Sequence, residues 1–180
     1  MSMEGFVTLQ FQREYLDAKV PAEYHKDPQV LTLNGHENES GTLYFWQLYS
    51  ILGENKIRQF ITEFYTNLFD EAEDIQFIKT FKVLGSIEHH IIGQTNFWLD
   101  AMGGGKKYAG GQFRLQRHHD LAKHIMNAKG ARLWLQHMRH TLNTTLVDFT
   151  DDARVKPCIV DFLNFFMEKY GLEYGFKARL

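Results

Sequence analysis

Histidine is the residue type in this sequence that most clearly suggests chemistry. The chain contains nine histidines. Most of them fall into three groups, which are His89–His90, His118–His119 with Asp120 and His124 close by, and His137 with His140. Imidazole is a common ligand of transition metals, so the groups predict a metal site as one interpretation. Histidines exposed on the surface are the alternative for each group.

Length, charge and cysteine content narrow the class of protein. With 180 residues, 44% of them hydrophobic, the chain is long enough for one compact domain. The net charge of −2 without a basic patch argues against a nucleic-acid partner. No apolar run reaches the ~18 residues that span a bilayer, so we expect no membrane partner. Cys158 is the one cysteine, which excludes an internal disulfide, and the first residues lack a signal-peptide pattern. We therefore expect a cytoplasmic protein.

The first part of the chain differs from the rest. We expect residues 1–41 to form a loosely structured N-terminal extension, because Pro21, Pro28 and the polar run 34–41 would interrupt any long helix. Within it, residues 7–11 alternate briefly like a β-strand.

The remainder is predicted to be an all-α domain over 42–171, followed by a short C-terminal tail over 172–180. Its apolar residues recur at three- and four-residue steps, as on one face of a helix. Predicted helices cover about 43–52, 57–70, 86–102, a short segment around 113–121, 128–147, and a last helix that ends at 171. We expect Ser86 to cap the third of these, Gly103 to end it, and the connection up to Ala128 to be poorly helical.

Several short motifs follow one another from residue 43 to about 170. They are Gly53 at a first corner, Phe64-Tyr65 in the first long helix, Met102-Gly103-Gly104 at a second corner, Arg117-His118-x-Asp120-Leu121, and Trp134-Leu135-x-x-Met138. In order and approximate spacing they resemble the truncated (two-over-two) globin family, and most closely its group II. The chain departs from the family pattern where Gly105-Lys106-Lys107 replaces a proline after the double glycine.

The resemblance implies a truncated globin fold and a cofactor, haem b (iron protoporphyrin IX). The haem would be bound non-covalently, because no Cys-x-x-Cys-His is present for thioether attachment. The iron would be held by a neutral imidazole, for which the motif implies His118. His119 remains the alternative ligand, because the segment before His118 is shorter and the one after it longer than in group II members.

The resemblance also implies a polar pocket on the distal side. Counting back from Gly103 places Gln94 at a polar pocket position, and His90 lies four residues earlier on the same helix face. His90 would hydrogen-bond a ligand, gate its access or bind the iron itself. Tyr65 and Trp134 would join Gln94 as donors that stabilise dioxygen. Core packing for Tyr65 and Trp134, and solvent exposure for His90, are the alternatives.

Further residues would line the haem or meet its propionates. The apolar residues implied for the wall are Phe64, Phe81, Phe97, Trp98 and Leu115. Arg117 would pair with a propionate because its planar fork matches a carboxylate, and Tyr108 and Lys107 are further candidates.

The implied function is binding of dioxygen and other diatomic gases, carbon monoxide and nitric oxide. Oxygen transport, nitric-oxide dioxygenation with an electron-donating reductase as partner, and peroxidase-like turnover with His90 as the acid–base group are all compatible with the sequence.

Two other classes of function remain open. A metal-dependent phosphohydrolase of the HD type would use ligands from His89–His90 and His119–Asp120, and a later carboxylate from Asp148, Asp151 or Asp152. A helical interaction module without haem would be colourless. Visible colour and metal content distinguish the three classes.

Overall fold

The computed structural model describes residues 35–71 and 75–180. This part of the chain forms one short β-hairpin followed by six α-helices. The elements are β1 His36–Asn38, β2 Gly41–Leu43, α1 Tyr49–Glu71, α2 Ile75–Leu84, α3 Ile87–Ala101, α4 Gly111–Ala122, α5 Ala128–Thr144 and α6 Val155–Tyr174. The predicted all-α class is confirmed. No described helix is both long and apolar enough to cross a membrane. The strand predicted at 7–11 lies outside the described residues.

The hairpin is bonded to the first turns of α6. Within the hairpin, the antiparallel strands pair His36 with Leu43. The hairpin is bonded to the start of α6, because Nη1 of Arg154 donates to the Gly41 carbonyl at 2.6 Å. The buried Cys158 thiol donates to the Leu43 carbonyl at 3.2 Å, and burial raises the pKa of that thiol to about 12. The end of the predicted extension is therefore attached to the helical domain.

Helix α1 supplies the centre of the core. Its predicted apolar face is buried, each side chain being at most 3% exposed; the residues are Ile57, Phe60, Ile61, Phe64 and Leu68. Complete burial of one such side chain contributes about 1.5–3 kcal/mol. The helix packs against α3 and α5. Gly53 interrupts the helix as predicted: its backbone is not helical, with φ of +71° and ψ of 168°, so α1 consists of two helical segments that meet at a kink there.

The glycine corner after α3 brings the end of that helix against the start of α1. Gly103 has φ of +91°, and a Cβ at this position would lie 2.1 Å from the Trp46 carbonyl oxygen. The Tyr49 N–H donates to the Met102 carbonyl at 3.0 Å. The start of α3 is also as predicted, because Ser86 Oγ accepts from the His89 N–H at 3.2 Å.

Helix α4 occupies part of the connection that was predicted to be poorly helical. It spans Gly111–Ala122 and therefore extends the short segment expected at 113–121 in both directions. Glutamine, arginine, leucine and alanine in this segment favour helix. Most of its described side chains are exposed, so the segment has no apolar face that a periodicity argument could detect.

Helix α6 continues past Gly171, its predicted end, to Tyr174. The true stop is Gly175, which has φ of +74°, and the N–H groups of Gly175 and Phe176 both donate to the Gly171 carbonyl at 3.0 Å. Gly171 serves close packing, since a Cβ there would lie 2.4 Å from the Phe176 oxygen. Beyond it, Phe176 is buried, and the Leu180 N–H donates to Asn164 at 2.7 Å.

Candidate functional site

Several of the predicted site residues lie at the contact between helices α3 and α4. His90, Gln94 and Phe97 are spaced four and three residues apart on α3, which places them on one face of the helix. The Gln94 Nε2 lies 2.8 Å from the Nε2 of His118 on α4. The Phe97 ring is nearly parallel to the His118 ring, with centroids 6.4 Å apart. Two predicted pocket residues and the predicted iron ligand therefore lie together.

His118 presents an unprotonated nitrogen to α3. The Gln94 Nε2 can only donate, so His118 Nε2 accepts, and a neutral ring then has its proton on Nδ1. His118 is exposed in part, yet the protein atoms around the ring desolvate it and lower its pKa to about 4. Positive charge on His90, His119 and Arg114 acts in the same direction. The neutral imidazole is the form that binds a metal ion.

His119, the alternative ligand, faces a different helix. Its Nε2 lies 2.9 Å from a carboxylate oxygen of Glu173 on α6, and its ring contacts those of Tyr170 and Tyr174. The Tyr174 hydroxyl donates to the His119 carbonyl at 3.0 Å. His119 Nδ1 is buried and has no hydrogen-bond partner within the described residues. The two adjacent histidines therefore have separate environments.

His90 lies among aromatic rings and bonds to the backbone of α2. Its Nε2 donates to the Phe81 carbonyl at 3.0 Å. The ring stacks on Tyr65 with centroids 5.8 Å apart, and it also contacts Phe69 and Phe81. Burial lowers the pKa of His90, against the opposing effect of the bond to the Phe81 carbonyl. In this arrangement Nε2 already has a partner within the protein.

Tyr65 and Trp134 extend this aromatic group toward α5. Tyr65 is buried, which raises the pKa of its hydroxyl. Phe64 contacts both residues, with its ring centroid 5.0 Å from that of Tyr65 and 5.0 Å from that of Trp134. Trp134 is half-buried and reaches the predicted pocket residues by way of Phe64. Of the three predicted donors, Gln94 is the one in contact with His118.

Some of the apolar residues predicted to line the haem contact the candidate site, and others lie in the core. Phe81 and Phe97 contact His90 and His118 respectively. Trp98 lies in the core, where its ring contacts those of Phe45, Phe60 and Phe162. Leu115 belongs to α4, but its side chain lies outside the described part of the structure.

The three residues predicted to meet the haem propionates have different environments. Tyr108 is buried and contacts Phe97 with ring centroids 5.6 Å apart, and its backbone N–H donates to the buried carboxylate of Asp100 at 3.2 Å. Burial raises the pKa of Tyr108. Lys107 pairs with Glu54 at 3.1 Å, and Arg117 is exposed.

Sequence reasoning missed Arg114. Its guanidinium lies over the Tyr108 ring, 4.7 Å from the centroid, and its Nη1 donates to the Ala109 carbonyl at 3.3 Å. The available signal was its spacing, four residues before His118 on one helix.

The ligand set of a phosphohydrolase is not assembled in the described residues. They contain no group of three or more histidine, cysteine, aspartate or glutamate side chains that could hold a metal ion. His119, which that hypothesis requires, bonds to Glu173 instead.

Comparison with known proteins agrees with the sequence motifs. The family model described as bacterial-like globin matches residues 47–168, which is more than half of the chain and includes α3, α4 and His118. No curated protein and no solved structure gives a significant match. The predicted resemblance to truncated globins is confirmed, while the assignment to group II stays a prediction. The chain belongs to the bacterial-like globin family.

Proposed function

We propose that this globin binds haem b between α3 and α4, with His118 as the iron ligand, and that it binds diatomic gases there. One observation supports this most strongly: the unprotonated Nε2 of His118 faces α3 and lies 2.8 Å from the Gln94 side chain. The nitrogen that a haem iron requires is thus directed to the helix that holds the predicted distal residues.

The residues present fit a haem chemically. Haem needs a neutral imidazole, apolar surfaces for its macrocycle and cations for its two carboxylates. His118 supplies the first, Phe97 and the rings around His90 supply the second, and Arg114 is a cation beside them. His118 and Gln94 must separate to admit a flat macrocycle, because a 2.8 Å contact leaves no space for one.

When bound, haem supplies an iron with one coordination position open to dioxygen, carbon monoxide or nitric oxide. Gln94, once separated from His118, has an amide N–H available to a ligand with partial negative charge. Tyr65 and His90 support the α3 side of the site through their stacked rings. Bulky aromatic residues there exclude water from the ligand.

Gas binding is the function that these contacts favour over the alternatives. The phosphohydrolase hypothesis lacks its ligand cluster in the described residues. Oxygen transport, nitric-oxide dioxygenation with an electron-donating reductase, and peroxidase-like turnover stay predictions, since each depends on partners or rates beyond the site.

Titration of the purified protein with ferric haem tests the proposal. We expect the Soret absorption to rise and stop at one haem per chain, the complex to survive gel filtration, and the reduced form to change its spectrum under carbon monoxide. Haem that separates from the protein on the column would contradict the proposal. Metal analysis of the colourless protein would then test the phosphohydrolase hypothesis.

A further inference from the structure

Arg114 lies at the candidate site, and none of the described residues pairs a carboxylate with its positive charge. Its contacts are the Tyr108 ring, 4.7 Å from the guanidinium carbon, and the Ala109 carbonyl, 3.3 Å from Nη1. Guanidinium has five N–H donors, so one hydrogen bond leaves most of them available. No ion pair joins Arg114 to a carboxylate within the described part of the chain.

The side chain of Arg114 reaches from α4 to α3. Arg114 is half-buried. Apart from the adjacent residues and the backbone of α3 itself, the one atom within 4 Å of a Cβ built on Gly93 would be Nη2 of Arg114, at 3.5 Å. Because residue 93 is a glycine, the guanidinium can lie against α3 without competing with a side chain there. The guanidinium also lies over the ring of Tyr108, and this stacking restricts the flexible arginine.

Arg114 also lies close to the predicted iron ligand. It precedes His118 by four residues on α4, and side chains at this spacing are neighbours on a helix surface. The other cations near the site are placed differently. Arg117 is exposed, and Lys107 already pairs with Glu54 on α1.

We propose that Arg114 binds a propionate carboxylate of the haem, the role that the sequence resemblance implied for Arg117. The inference rests on the proposed haem site. A planar guanidinium donates two parallel hydrogen bonds to a carboxylate, and such charge-assisted bonds are about twice as strong as neutral ones. Gly93 and Tyr108 act as positioning residues, because they fix where the fork lies.

The test compares arginine variants of the protein, each loaded with haem or with a haem whose carboxylates are blocked. Haem and haem dimethyl ester, whose carboxylates are blocked, are each loaded on the wild-type chain, Arg114→Gln and Arg117→Gln. The measured quantity is the rate of transfer to an excess of a haem-scavenging apoprotein. We expect Arg114→Gln to release haem about tenfold faster than the wild type, as expected for loss of a charge-assisted hydrogen bond. We expect Arg117→Gln to differ from the wild type by less than about twofold, as for an exposed charge.

The ester separates charge recognition from packing. We expect the wild type and Arg114→Gln to release the ester at the same rate, because the arginine then has no carboxylate to bind. Equal release of haem by the two proteins, or an equally large difference with the ester, would overturn the inference while leaving haem binding intact. A wild-type chain that takes up neither compound would instead overturn the proposed function.

Discussion

The side-chain amide of Gln94 and the Nε2 of His118 lie 2.8 Å apart, across the contact between α3 and α4. The residue predicted to meet the gas and the residue predicted to hold the iron therefore face each other directly. Since the amide donates, the histidine nitrogen that accepts is unprotonated. Under the proposed function, this relationship would give each side chain a separate role, one on either side of a bound haem.

Replacement of Gln94 by leucine removes the amide donor nearest His118. We expect dioxygen to dissociate about tenfold faster from this variant, because one hydrogen bond to a partly charged ligand contributes roughly 1.5–3 kcal/mol. Stopped-flow displacement of dioxygen by carbon monoxide measures the rate. Gln116→Leu is the matched control, since Gln116 is exposed on α4 and bonds to Asp120. Equal rates in the wild type and Gln94→Leu would show that Gln94 does not reach the ligand.

His90 is expected not to coordinate the iron. Its Nε2 donates to the Phe81 carbonyl, and its ring is stacked on Tyr65. We therefore predict a five-coordinate spectrum for the reduced, gas-free wild type and the same coordination in His90→Leu. His89→Leu, at an exposed neighbouring position, is the control. A six-coordinate wild type that becomes five-coordinate only in His90→Leu would assign His90 as the second ligand.

Gly103→Ala should destabilise the corner that joins α3 to α1. A residue with a Cβ at positive φ costs about 1–2 kcal/mol, and here the Cβ would also lie 2.1 Å from the Trp46 oxygen. Gly175→Ala is a matched control, because Gly175 has positive φ but open space around it. Urea unfolding should show a larger loss for Gly103→Ala than for Gly175→Ala. A similar loss in both would mean that the close approach is readily relieved.

The bond network of Arg154 should stabilise the attachment of the hairpin in a pH-dependent way. Arg154 donates to both carboxylate oxygens of Asp152, at 2.9 and 2.6 Å, and this bonding lowers the pKa of Asp152. Because the folded-state pKa is lowered, the stabilisation is present above the ordinary aspartate pKa and is lost as the pH falls through the lower value. We expect Arg154→Gln to unfold at lower urea concentration than the wild type at neutral pH.

This difference should begin to shrink below about pH 4, where Asp152 of the unfolded chain becomes protonated while the folded chain still holds it ionised. Arg139→Gln, at an exposed position on α5, should match the wild type at both pH values. A difference for Arg154→Gln that does not change with pH would show that its bond to the Gly41 carbonyl, rather than the pair with Asp152, provides the stability.

The sequence predicts those parts of the fold whose apolar residues repeat regularly. The buried face of α1 and the cap at Ser86 follow from residue types and spacing alone. The full length of helix α4 was not predicted, because most of its described side chains are exposed and no apolar pattern marks its ends. Gly171 was mistaken for a helix end because a glycine required by close packing resembles a terminating glycine in sequence.

The site was only partly predictable for a related reason. His118 and His119 are adjacent, and neighbouring helical residues point in different directions, so packing decides which of them faces α3. The position of Arg114 depends on Gly93 and Tyr108, which lie on other elements and are brought near it only by the tertiary fold. Trp98 shares the aromatic character of Phe97 but contacts the core, as its direction on α3 requires.

A comparison of His118→Ala and His119→Ala most directly tests the claim that His118 holds the iron. The haem complexes of both variants are reduced, and their absorption and iron–histidine stretching bands are recorded with and without added imidazole. We predict that His118→Ala loses the iron–histidine band and regains it with imidazole, while His119→Ala keeps it throughout. The opposite result, with the band lost in His119→Ala and kept in His118→Ala, would contradict the account.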